Sequence, residues 1–118
     1  MIKSLTLAAA LALGGTLMAQ ADSIVIEVAT MSLAPGMTPD AFTEIDARVA
    51  SEHVSQQPGF ISRQSGFDGD AWVAIVQWES HEAAQASMDS FASAPAAAEF
   101  MGGVEAESIV MTRYTSAN

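Results

Sequence analysis

The groups in this sequence with chemical reach are few. There are two histidines, His53 and His81, two tryptophans, Trp72 and Trp78, and one acid, Glu27, set inside a run of β-branched residues. Cysteine is absent, so thiol nucleophiles and thiolate metal sites are excluded. No cluster of His, Asp and Glu has metal-ligand spacing, and neither a phosphate-cradling glycine loop nor a G-x-S-x-G elbow occurs. No metal and no cofactor is therefore expected. What remains is acid–base chemistry beside an aromatic wall. Glu27 is an acid in a strand that otherwise reads as buried, and a desolvated carboxylate suits a general base. Its alternatives are an ion pair with Arg63 or Arg113, or exposure at a strand edge. His53 is the better histidine candidate. It lies one turn beyond an apolar helical stripe, from which it would reach a cavity between helix and sheet. Its plain alternative is a half-exposed residue favoured by the dipole at a helix end. His81 sits in the first turn of a later helix and reads as solvated. Arg63 and Arg113 either anchor an anionic ligand group or make edge and intersubunit pairs.

These residues are positioned by a simple order of elements. "SIVIEVATM" (Ser23–Met31) is β-branched and short, a strand with apolar groups on both faces. Ile24, Ile26 and Val28 point one way; Val25, Ala29 and Met31 point the other, with Glu27 among them. Thr38 then caps a helix with Pro39 at its first position. Phe42, Ile45 and Val49 form the buried stripe of that helix, and Pro58-Gly59 ends it. "GFISRQSGF" (Gly59–Phe67) reads as a half-exposed strand, alternating Phe60, Ser62 and Gln64 against Ile61, Arg63 and Ser65. Asp68-Gly69 marks a tight hairpin. In "AWVAIVQWE" (Ala71–Glu79) both tryptophans share one face with Ala74 and Val76, where they either fill the core or wall a ligand cavity. Ser80 caps the next helix, whose face carries Ala84, Met88, Phe91 and Ala92. A short helix follows, Gly102-Gly103 closes it, and "ESIVMTRYT" is the last strand.

The order β-α-β-β-α-β with right-handed crossovers predicts an α+β fold of ferredoxin-like type. It is a four-stranded antiparallel sheet with both helices on one face. The other face is then apolar and uncovered, a patch that soluble proteins avoid. A homodimer packed sheet to sheet, closing an α+β barrel, is the economical answer.

The first 21 residues have a different character. Lys3, an apolar run from Leu5 to Leu17 and the small-x-small triplet Ala19-Gln20-Ala21 have the layout of a secretory signal peptide. The run is too short to span a bilayer, which takes roughly 20 apolar residues. Cleavage after Ala21 is expected, leaving residues 22–118 as one domain in the periplasm or secreted. Three arginines then face 14 acids. Such a surface repels phosphate backbones and anionic lipid, so no nucleic acid and no membrane is expected as a partner.

The chain resembles the antibiotic biosynthesis monooxygenase-like family of dimeric α+β barrels. The marks are "LAPG" (Leu33–Gly36), "PGF" (Pro58–Phe60) and "QWESHEAA" (Gln77–Ala84), the last of the form W-x-S-x-x-A. The resemblance implies a cavity between helices and sheet, with Trp78 on its wall. It also implies the class of a cofactor-independent monooxygenase acting on a small aromatic or quinol-type substrate. Haem-degrading members use a strand-one Asn, the strand-three Trp and a later haem-ligating His. Here the Asn position holds Ala29 and no histidine follows His81. Quinol-oxygenase-like members often keep histidines in the helix after W-x-S, where this chain has Ser87 and Ala92. The candidate catalytic residues are thus Glu27 and His53. The candidate pocket residues are Phe42, Val49, Trp72, Trp78, Met88 and Phe91. Two other functions stay open: a non-catalytic dimeric binder of a small hydrophobic ligand, and a structural dimer with a filled core.

Overall fold

The computed structural model describes residues 23–117. The expected signal peptide lies outside the described residues. Strand β1 (Val25–Ser32) is followed by helix α1 (Pro39–Glu52), β2 (Phe60–Asp68), β3 (Ala71–Trp78), α2 (His81–Ser90), the short α3 (Ala97–Gly102) and β4 (Val110–Thr115). Single 3₁₀ turns at Val54–Gln56, Phe91–Ser93 and Ala106–Ser108 link them. All strand pairs are antiparallel, in the order β2-β3-β1-β4. This is the ferredoxin-like α+β arrangement that the element order predicts.

The helix starts are local in origin. Thr38 Oγ1 accepts the Ala41 N–H at 3.1 Å, with Pro39 opening α1, and Ser80 Oγ accepts the Ala83 N–H at 3.0 Å. Phe42, Ile45, Asp46 and Val49 form the buried face of α1. Against it lie the alternate residues Val25, Glu27, Ala29 and Met31 of β1 and Trp72, Ala74, Val76 and Trp78 of β3, all buried. At one end of the sheet the core is solid and aromatic. Phe42 meets Trp72 edge to face at 4.8 Å and Phe100 at 4.9 Å, while Phe67 stacks on Trp72 at 5.9 Å. Gly103 follows α3 here because a side chain has no room: a Cβ would come within 2.9 Å of the Phe42 ring.

Strict alternation along β2 is broken. A bulge between Phe60 and Ser62 inserts one residue, so Phe60 pairs with Trp78 and Arg63 with Val76. Phe60, Arg63, Ser65 and Phe67 therefore share the helix side, which corrects the expected grouping of Phe60 with Ser62 and Gln64. The opposite sheet face stays open in the single chain. Val28 lies between Ile75 and Thr112 in register, and Ile26 between Gln77 and Tyr114. Val110 and Tyr114 on that face are 58% and 55% exposed.

Candidate functional site

Beside this aromatic cluster the same layers part around a cavity of about 510 Å³. Its floor is the helix side of the sheet: Ala29 and Met31 from β1, Ala74, Val76 and Trp78 from β3, and Met111 from β4. Val49 of α1 and Val54 close one side. Ser87 and Met88 of α2, Phe91, and Phe100 and Met101 of α3 close the other. Met88 and Met101 are exposed and form the rim. The wall is nearly all apolar, of the kind that takes up hydrophobic small molecules.

Alanines make the space. Ala29, Ala74, Ala92, Ala97 and Ala98 all line it. Their short side chains leave a void that larger residues would fill, and the break in helical structure at Phe91–Ser93 turns Phe91 over it. The buried residue of α2 here is Ser87, while Met88 is exposed at the rim.

Two buried ion pairs brace the walls. Glu27 accepts the Trp78 Nε1–H on Oε1 at 3.1 Å and the Arg113 Nε–H on Oε2 at 2.7 Å. Arg113 also donates to Gln85 Oε1 at 2.7 Å, tying β4 to α2. Asp46 of α1 accepts both terminal nitrogens of Arg63 at 2.7 Å and the Ser65 hydroxyl at 2.8 Å. Such bidentate, charge-assisted bonds are strong and directional. They fix Arg63 to α1, and they leave Glu27 on the cavity wall with both of its oxygens already bonded within the protein.

Of the residues picked from sequence, Val49, Trp78, Met88, Phe91 and Glu27 come together on this wall. Phe42 and Trp72 are not on it: they belong to the solid aromatic end. Trp72 Nε1 is buried there without a hydrogen-bond partner. His53 is not on the wall either. It caps the C-terminus of α1, is 5% exposed, and sits 6.1 Å from the Phe91 ring. Its Nε2 lies 3.4 Å from the Ser87 carbonyl and 3.3 Å from Ser90 Oγ, and its Nδ1 lies 3.4 Å from Gln57 Nε2. It is a buried structural neighbour of the cavity, neither half-exposed nor pointing in. His81 is exposed, with Nε2 3.1 Å from Thr115 Oγ1. Glu27 takes the Arg113 partner, not Arg63. Among the described residues no group of His, Asp and Glu is arranged to hold a metal.

Asp46 was the residue hidden from sequence reading, although a signal existed. It stands four residues after Phe42 and three before Val49, on the apolar stripe itself. A carboxylate there must be paired.

The sequence model of the antibiotic biosynthesis monooxygenase family matches residues 24–101. The chain belongs to this family. Solved structures agree with the fold. SnoaB from Streptomyces nogalater, a cofactor-independent oxygenase, is 20% identical with a TM-score of 0.66, over 81% of this chain and 95% of its own. A Caulobacter crescentus protein classed with the antibiotic biosynthesis monooxygenases is 17% identical with a TM-score of 0.66, over 81% and 92%. PA3566 from Pseudomonas aeruginosa is 16% identical with a TM-score of 0.57, over 81% and 96%. No curated protein matches the sequence. In this family member the W-x-S mark begins on the cavity floor, because Trp78 both lines the space and donates to Glu27.

Proposed function

We propose that this family member is an exported homodimer that binds a small aromatic or otherwise apolar molecule in the cavity beside Trp78. The observation that carries the reading is the cavity itself, about 510 Å³ with a nearly all-apolar wall. That volume lies in the range of small-molecule sites. It argues against a structural dimer with a filled core. Export rests on the leader-like residues 1–21. The dimer rests on the apolar sheet face, where Val110, Tyr114 and Ile75 are exposed.

A second reading is turnover, cofactor-independent monooxygenation of a quinol-type substrate, favoured by the likeness to SnoaB. In that chemistry the site orients the substrate and takes a proton from it, and the electron-rich anion then reacts with O₂. Here Glu27 already accepts from Trp78 and Arg113, and His53 lies behind the wall. Binding without turnover is thus the leading reading.

Intrinsic fluorescence tests it. Titration with menadione is expected to quench the chain, to quench Trp72→Phe as well, and to lose most of its effect in Trp78→Phe. No quenching of the unaltered chain would sink the binding reading. Oxygen uptake above buffer with a panel of quinols would promote the second.

A further inference from the structure

The cavity wall carries three polar side chains, Glu27, Arg63 and Ser87. The first two are spent on partners inside the protein. Ser87 differs. It is 7% exposed, yet the hydrogen bonds formed at this residue use its carbonyl, which faces His53 Nε2 and accepts the Ser90 hydroxyl. Its own hydroxyl has no partner among the described residues. Nor is that hydroxyl sealed in protein, because among the described residues the fully buried polar side-chain atom left without a partner is Trp72 Nε1. The space next to Ser87 is the cavity it lines.

Charge narrows the ligand further. The three arginines of the described residues are all paired: Arg48 with Glu99, Arg63 with Asp46 and Arg113 with Glu27. A ligand carboxylate or phosphate would enter an apolar space with no free cation to meet it, at a steep desolvation cost. The acidic surface would repel it on approach. A serine hydroxyl, by contrast, both donates and accepts one hydrogen bond with equal ease.

We infer that Ser87 is the polar anchor of the cavity, hydrogen-bonded to a hydroxyl or carbonyl on an otherwise apolar, uncharged ligand. The inference rests on the binding reading above. A serine hydroxyl is a neutral group that cannot act as a base at ordinary pH, so the anchor orients the ligand without deprotonating it.

Calorimetric titration with three probes of one ring size separates the possibilities. 1-Naphthol carries the hydroxyl, 1-methylnaphthalene replaces it by a methyl, and 1-naphthoate carries a charge. The unaltered chain is expected to bind 1-naphthol roughly fivefold more tightly than 1-methylnaphthalene, the worth of one net hydrogen bond, and 1-naphthoate most weakly. Ser87→Ala is expected to abolish the naphthol preference, with far-ultraviolet dichroism reporting that the variant is folded. A preference that survives in Ser87→Ala overturns the anchor alone. Naphthoate binding as tight as naphthol overturns the uncharged class. Failure of all three probes overturns the binding reading and this inference with it.

Discussion

A Cβ placed on Gly59 would stand 2.5 Å from the Cβ of Ala83, so the loop before β2 and the first turn of α2 meet with no space for a methyl group. Gly59 also has φ +85°, and its carbonyl accepts the Glu79 N–H at 2.8 Å. Ala83 closes the W-x-S-x-x-A segment and Gly59 centres the Pro-Gly-Phe segment. The two marks, 24 residues apart in sequence, are two sides of one contact. It fixes the end of β3, and hence Trp78, against the start of α2.

Gly59→Ala is therefore expected to destabilise the fold by about 2–4 kcal/mol, combining left-handed backbone strain with overpacking. Gly36 also has φ +85° but has open space around it, so Gly36→Ala should cost only about 1 kcal/mol. Adding Ala83→Gly to Gly59→Ala should give a favourable coupling energy in a double-mutant cycle. Urea denaturation of the set measures all three. Equal losses at Gly36 and Gly59 would show that the contact is slack.

Glu27 holds Trp78 and Arg113 from one carboxylate. Glu27→Gln keeps the size and an acceptor for Trp78 but leaves the guanidinium of Arg113 without its counter-charge. Arg113 keeps its bond to Gln85 and is partly exposed, so the expected loss is about 2–3 kcal/mol, below the full value for a broken buried pair. The check is denaturant unfolding beside menadione quenching. Unchanged stability together with abolished quinol turnover would instead make Glu27 a base.

Asp46 and Arg63 form the more deeply buried pair, with side chains 5% and 9% exposed. Asp46→Asn should cost about 3 kcal/mol, because a buried guanidinium loses its charge partner. Arg63→Met in the same background should recover most of that loss, since a packed apolar pair replaces a stranded charge. Thermal melts of the two variants decide it; a double variant no better than Asp46→Asn would refute the account.

Arg48 of α1 and Glu99 of α3 meet at 2.6 Å on the surface. The Arg48 hydrogen bond holds the Glu99 carboxyl below the usual glutamate range. A carboxyl lowered on folding adds stability above its ordinary value, and that contribution is lost as pH falls through the folded one. Glu99→Gln is expected to lie slightly below the unaltered chain at neutral pH and to converge with it in acid. High salt should shrink the neutral-pH gap. Melting curves from pH 3 to about 7 follow the convergence.

The elements, their order and the sheet-and-helix layers were legible because they rest on local signals: the Thr38 and Ser80 caps and the β-branched runs. The end of α1 was not, because the helix stops at Glu52, six residues before the expected Pro58-Gly59 stop. The parity of β2 was not, since a bulge at Phe60–Ser62 is set by pairing with β3 and leaves no mark in the alternation. For the site, Trp78, Val49, Met88 and Phe91 were legible as one helix-facing set. Where the layers leave space was not. Phe42 and Trp72 are as apolar as Trp78, but the cavity opens where small residues such as Ala29 and Ala74 meet Ala97 across the layers. That is a sum over distant positions. His53 misled for a similar reason: the stripe of α1 does run toward the cavity, but the helix stops at Glu52, and the turn carries the ring behind Phe91.

Tyr114 and Val110 flank Thr112 on the sheet face away from the helices, and Ile75 is exposed across β1 on the same face. A second copy of the chain packed there would bury a row of β-branched and aromatic groups that the single chain leaves in water. Residues 22–118 are expected to sediment as a dimer at micromolar concentration. Tyr114→Asp combined with Val110→Asp should yield a monomer, because two like charges per chain would then be desolvated at the interface. Neither side chain touches the cavity wall, so the far-ultraviolet dichroism of the variant should be unchanged. A sedimentation coefficient for the unaltered chain that already fits a stable monomer would remove the sheet-to-sheet dimer. A dimer that survives both aspartates would place the interface on another face.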